Sequence, residues 1–213
     1  MAERLKAVTK ALSTPPKSNP GEAFTYSNVG FTIAGVMAEH VTGKPWETLI
    51  REQVAEPLNL TGLGFGAPQP SKDTPQPWGH RKSFFRKKAV DPTGFADNSP
   101  IMGPAGTIHM SLTDMLKYGE AHNKGHQGHS KYLNKETFDR LHTAALDEYG
   151  YGWVVPEKSN WANGKLLWHN GTNTMWYALL MVAPAHDAVF AITVNDGDFR
   201  KVEKDIIRLP SKF

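Results

Sequence analysis

Along the first two thirds of the chain apolar residues recur at helical spacing, and along the last third they alternate at strand spacing. Residues 3–13 predict a short helix, closed by "STPPKSNPG", whose prolines and glycine forbid continuation. Val29, Ile33, Val36, Met37 and Val41 predict a second helix with Asn28 as its cap and Gly43 as its stop. A third follows Pro45, with Trp46, Leu49, Ile50, Val54 and Leu58 as its stripe. From about 61 to 108 the periodicity gives way to Gly, Pro and Asp, which predicts a long irregular excursion of the kind that borders binding sites. Ser111 then predicts an N-cap with Asp114 three residues on and Leu112, Met115 and Leu116 facing inward. Asn134 predicts another cap, ahead of Phe138, Leu141 and Ala145.

After Tyr149 the segments "YGYGWVV", "KLLWHN", "MWYALLMVAP" and "AVFAITVN" predict strands, with Pro184-Ala185-His186-Asp187 as a hairpin turn. Asp198 predicts a cap for a last helix carrying Phe199, Val202, Ile206 and Leu209. Helices, then an antiparallel meander, then a helix define an α+β layout: an antiparallel sheet flanked by helices. The expected organisation is one domain over 1–213, with a helical lobe at about 20–148 and the sheet and last helix at about 149–213.

Composition narrows the function classes. Hydrophobic residues make up 39% of 213, enough for a packed core. The chain has no cysteine, which excludes disulfides and thiol catalysis and leaves the compartment open. It has no apolar run long enough for a membrane span, and its charged start lacks the apolar region of a secretory signal. A net charge of +3 is too balanced to indicate nucleic acid. The clearest basic run, "HRKSFFRKK" from His80 to Lys88, reads as a solvated loop or hairpin. His122, His126 and His129 have the spacing to suggest a metal, but Gly125 and Gly128 argue for a solvated turn, so neither metal nor cofactor is expected.

Tyr26-Ser27-Asn28, at the head of an apolar helix, carries the chemistry. By spacing alone Tyr26 is a half-buried tyrosine and Asn28 a cap. Four stretches change that reading: "PGEAFTYSNVGFTIAGVMAEHVTGKPWETLI…PLNLTGLGFGAP", "MGPAGTIHMSLTDML", "YGYGWVV" and "LWHNGTNTMWYALLMVAP…TVN". In that order, from about residue 20 to 196, they resemble the serine β-lactamase-related family of class C β-lactamases, penicillin-binding peptidases and esterases. The resemblance implies a β-lactamase-like fold and acyl transfer through an acyl-enzyme. It makes Tyr26 a proton shuttle and Asn28 a contact to substrate amide or lysine. It makes His169-Asn170-Gly171 the facing wall and the Thr172 N–H half of an oxyanion hole. Trp176 would narrow the pocket. A glycine on the wall leaves the edge bare for substrate.

The resemblance also implies a serine in S-x-x-K, and no serine here has lysine three residues later. Thr14-Pro15-Pro16-Lys17 fits only with threonine for serine, and its prolines exclude a helix interior. Ser27 and Ser99 are the substitutes to weigh. The chain therefore resembles the family without its N-terminal part. Val29/Ile33/Val36 and the strand 188–195 are expected to lack their usual cover, which calls for a second copy, an exchanged segment or a complementing N-terminal fragment. His169 for lysine and Asn170 for Thr or Ser favour small esters over carboxylate-bearing penicillins. The expected function is a serine hydrolase of small esters, amides or β-lactams. The alternative is a non-catalytic, partner-completed binding module.

Overall fold

The computed structural model describes residues 1–69, 75–83 and 86–200. Its centre is an antiparallel sheet of three strands, β5 (Leu167–Thr172), β6 (Tyr177–Ala183) and β7 (Ala188–Val194), in the order β5-β6-β7. β6 is apolar on both faces because both are covered. Tyr177, Leu179 and Met181 face a cluster with Ala162, Leu166 and Phe190, and Leu180 and Val182 face Trp153, Val155 and Met115. Pro184–His186 makes the predicted turn, with Asp187 in the left-handed region at φ 48°. Among the described residues β7 pairs only with β6, so its outer edge is open as expected.

The segment "YGYGWVV" is not a full strand. It makes single bridges, Tyr149 to Val154 and Val154 to Trp168, because it turns at Gly150-Gly152 and Gly150 N–H bonds Trp153 C=O at 2.8 Å. The last predicted helix lies mostly outside the described residues; Phe199, which is described, stacks on Tyr177 at 4.4 Å.

Helices α1 (Ala2–Leu12), α2 (Asn28–Thr42) and α3 (Trp46–Ile50) form the first lobe, and α3 runs on into a π-helical turn, Arg51–Ala55. Gly43 ends α2 at φ 70°. The cap of α2 is Ser27, whose hydroxyl accepts from Gly30 N–H at 3.1 Å, and Asn28 is the first helical residue. The buried face of α2 overlaps the predicted stripe only at Val36. Thr32, Gly35, Val36 and Glu39 are buried, while Val29, Met37 and Val41 are exposed, Val41 by 84%. Two contacts set this rotation. Gly35 lets Pro104 come within 2.2 Å of where a Cβ would stand, and Glu39 is drawn inward by Arg4 and by Trp46 N–H at 2.9 Å.

The excursion from 61 to 108 holds more order than its composition suggests. Short strands β1 (Gly64–Phe65) and β4 (Ile108–His109) pair, β2 (His80–Ser83) and β3 (Arg86–Ala89) form a hairpin, and α4 (Gly103–Gly106) packs on α2. Helix α5 (Leu112–His126) starts at the predicted cap, Ser111, whose Oγ accepts from Asp114 N–H. Asp114 does not close a reciprocal box; its carboxylate takes the Gly62 N–H at 2.6 Å and ties α5 to the excursion. Met115 faces the sheet, but Leu112 and Leu116 are exposed, because Gly119, His122 and Asn123 form the inner face. Helix α6 (Lys135–Leu141) is capped by Asn134 as predicted, and Ala145 falls beyond its end.

The histidine reading is corrected in part. Gly125 does not break α5; it lies inside the helix, with the Phe138 ring 2.3 Å from where a Cβ would stand. His122 is buried, while His129 is exposed. Among the described residues no group of three or more His, Asp or Glu side chains is placed to hold a metal ion, and no helix is long and apolar enough to cross a membrane.

Candidate active site

Three rings from distant parts of the sequence meet at one end of β5. Tyr26, just ahead of α2, lies 6.2 Å from the His169 ring and 6.0 Å, edge-on, from Tyr149. Phe24 stacks on Tyr149 at 4.8 Å and fixes the approach of the segment before α2. Tyr26 is half exposed.

The hydrogen bonds define the state of His169. Its Nδ1 lies 2.6 Å from the Asn170 carbonyl oxygen, which can only accept, so Nδ1 carries the proton. Nε2 is then the acceptor, and the Tyr149 hydroxyl donates to it at 3.0 Å. Burial pushes the Tyr149 phenol up to about 12, with Tyr26 adding to the shift, so Tyr149 keeps its proton. Burial also lowers His169 below the ordinary histidine value, against the smaller opposing pull of the Asn170 carbonyl. The ring is thus neutral at pH 7. Tyr149→Phe removes the donor that favours neutral Nε2 and is expected to move the His169 pKa upward in an NMR titration; an unchanged value would show that this hydrogen bond does not set the ring's state.

Strand alternation separates the predicted wall residues. His169 and Gly171 share one face, and among the described residues nothing lies within 4 Å of where a Cβ on Gly171 would stand. Asn170 faces the other side, where its Nδ2 donates to the Tyr177 hydroxyl at 3.3 Å. The Thr172 hydroxyl donates to Trp176 C=O at 2.8 Å and accepts from Thr174 N–H at 3.0 Å. The Trp176 ring covers Gly79 and donates to Pro77 C=O at 3.0 Å, which holds it beyond the end of the strand. Asn28 is exposed at the start of α2, where its carbonyl accepts from the Thr32 hydroxyl. The structure therefore brings Tyr26 and His169 together, with Gly171 alongside His169, and sends Asn170 and Trp176 elsewhere. Sequence reasoning missed Tyr149 as a member of the cluster. Its only signal was its place at the head of "YGYGWVV".

Both candidate substitute serines serve as caps, Ser27 for α2 and Ser99 for the 3-10 turn Pro100–Met102, where its Oγ accepts from Ile101 N–H at 3.4 Å.

This chain belongs to the beta-lactamase family, whose family model matches residues 1–209. A penicillin-binding protein of Bacillus subtilis (strain 168) is 23% identical over 164 residues, covering 71% of this chain and 35% of that protein. The octameric penicillin-binding protein homologue from Pyrococcus abyssi superposes with a TM-score of 0.77 at 20% identity, over 98% of this chain and 49% of that one. A D-stereospecific amidohydrolase from Streptomyces sp. gives 0.71 at 22% identity, over 93% and 59%. The fold is that of β-lactamases and penicillin-binding proteins. The chain spans about a third of the length of most of the curated relatives it matches and about half of the solved structures.

Proposed function

We propose that this chain supplies two walls of a serine-hydrolase cleft, for acyl transfer from small esters or amides, β-lactams included. The attacking serine comes from a polypeptide segment outside residues 1–213. The observation that carries the reading is the meeting of Tyr26 with the Tyr149–His169 pair beside the open face of Gly171. Such a cleft needs a proton carrier opposite a strand that can accept a substrate along its backbone.

Tyr26 takes the serine hydroxyl proton as the Oγ–carbon bond forms. It hands that proton to the departing alkoxide or amine, and water then cleaves the acyl-enzyme. The backbone N–H at Thr172 donates to the oxyanion. A buried, neutral His169, hydrogen-bonded to Tyr149, places no cation at this position of the wall, which favours substrates with no carboxylate there. The edge of β7 that is unpaired among the described residues and the exposed Val29, Met37 and Val41 on α2 are the surfaces that a completing segment, or a second copy, would bury.

Both substitute serines are spent as caps, and this favours a second reading in which the chain is a non-catalytic binding module. Labelling separates the two. The native protein, recovered from its source with an antibody to this chain, is treated with a fluorescent penicillin and a fluorophosphonate. A labelled serine in a segment continuous with or bound to this chain is expected. Tyr26→Phe, introduced in the gene, should slow labelling about 100-fold. No acyl adduct on this chain or on anything that stays bound to it would leave only the binding module.

A further inference from the structure

The turn that leads into β5 holds a pair of residues that the cleft does not use. Asn163 stands in the left-handed region at φ 46°, and Gly164 follows at φ 146°. Asparagine is among the few side chains that tolerate the first angle, and the second suits glycine, so the turn itself selects Asn-Gly. That pair is chemically labile, because glycine presents its backbone nitrogen to the preceding side-chain amide without the shielding of a Cβ. Asn163 and Gly164 are both exposed. Among the described residues neither the Asn163 amide nor the Gly164 N–H has a hydrogen-bond partner. The chain's other Asn-Gly pair is Asn170-Gly171. There the side chain donates to the Tyr177 hydroxyl, and the backbone is fixed in the β5–β6 ladder opposite Leu179 and Ala178.

We infer that Asn163 is a site of spontaneous covalent modification, converting with time to aspartate and isoaspartate. The Gly164 nitrogen gives up its proton and bonds to Cγ of Asn163. The Cγ–Nδ2 bond breaks, and Nδ2 leaves as ammonia with that proton. Water then opens the cyclic imide. Opening at the Cγ carbonyl leaves aspartate. Opening at the backbone carbonyl leaves isoaspartate, whose main chain runs through Cβ and Cγ and is one carbon longer. Ala162 and Leu166, on either side, are 0% and 5% exposed and belong to one apolar cluster with Met181. The extra carbon lies between them, so the isoaspartyl form displaces one of the two from a close-packed interior.

The test holds the full chain in mildly alkaline buffer, folded or unfolded in guanidinium chloride, and follows its tryptic peptides by mass spectrometry with fragmentation that separates aspartate from isoaspartate. Asn163 is read in the peptide 159–165. In the folded chain conversion at Asn163 is expected to outrun that at Asn170 by about tenfold or more, because Asn170 reacts only when the ladder opens. Unfolding should bring the two rates together. Conversion should quicken as pH rises, since the attacking nitrogen must shed its proton, and N163Q should stop it in this peptide. Chain enriched in isoaspartate at 163 should melt about 2–4 °C below the fresh chain, while N163D, with the charge but not the longer backbone, melts close to it. No conversion at Asn163 in the folded chain, equal conversion at Asn163 and Asn170 in the folded chain, or aspartate without isoaspartate each overturns the inference. An isoaspartyl chain that melts with the fresh one would remove the displacement of Ala162 or Leu166.

Discussion

Arg4→Ala is expected to lower unfolding stability by about 3–5 kcal/mol, as removal of one partner from a buried ion pair does. Arg4 is 5% exposed and pairs with Glu39, itself 3% exposed, and with Glu47 at 2.5 Å. Its remaining donors reach the carbonyls of Ile101 at 3.1 Å and Pro100 at 2.9 Å. One guanidinium thus joins α1 to α2, to α3 and to the turn before α4. With it gone, Glu39 keeps a buried charge with, among the described residues, only the Trp46 N–H as partner. R4M/E39M is expected to recover part of the loss, since a well-packed apolar pair can replace a buried ion pair, while Trp46 N–H stays unpaired. Urea unfolding checks both. A loss below about 1 kcal/mol for Arg4→Ala would mean that α1 is not held by this pair.

The second large effect is acid sensitivity. His122 Nδ1 and His142 Nε2 are 2.8 Å apart, both residues are buried, and the Phe138 and Trp153 rings wall them in. Burial lowers His122 to about 3, helped by His142. Burial lowers His142 to about 4, helped by His126 and Lys165, with Asp139 opposing. Both folded values lie below the ordinary histidine value near 6.5. Between them and 6.5 the unfolded chain binds more protons than the folded one. Stability is therefore complete above about pH 6.5 and falls as pH drops toward 4, by up to about 1.4 kcal/mol per histidine per pH unit. Denaturant unfolding at a series of pH values should show this slope, and H122F/H142F, which replaces both partners with rings, should flatten it. A double variant with the parent's slope would place the acid sensitivity elsewhere.

The basic run from His80 to Lys88 reads in the sequence as a loop or a hairpin, and the structure makes it a hairpin. Its strands are rich in Lys and Arg, which disfavour strand formation, and no apolar alternation marks them. It forms because its base is fastened to the sheet, by His80 to Met175 and by Gly197 N–H to His80 C=O at 2.8 Å. On α2 the strongest apolar stripe in the sequence is partly exposed, because a close approach at Gly35 and a buried charge at Glu39 turned the helix. In the candidate site Tyr26 and His169 were legible from motif order, and Tyr149 was not. Its part depends on a hydrogen bond across 20 residues, which no spacing rule encodes.

By itself the order of residues determined the class of fold, the caps at Ser111 and Asn134, the stop at Gly43, the last three of the four expected strands with their turn at Pro184, and the lack of a serine backed by lysine. These depend on local propensity, on period and on residue identity, all of which are written in the chain. Tertiary structure decided which face of α2 is buried, that His122 of α5 belongs to the core, that Asn170 turns away from His169, and that Tyr149 meets the imidazole at Nε2. Each of those outcomes is a competition between contacts far apart in the chain, and only the folded arrangement determines which contact wins.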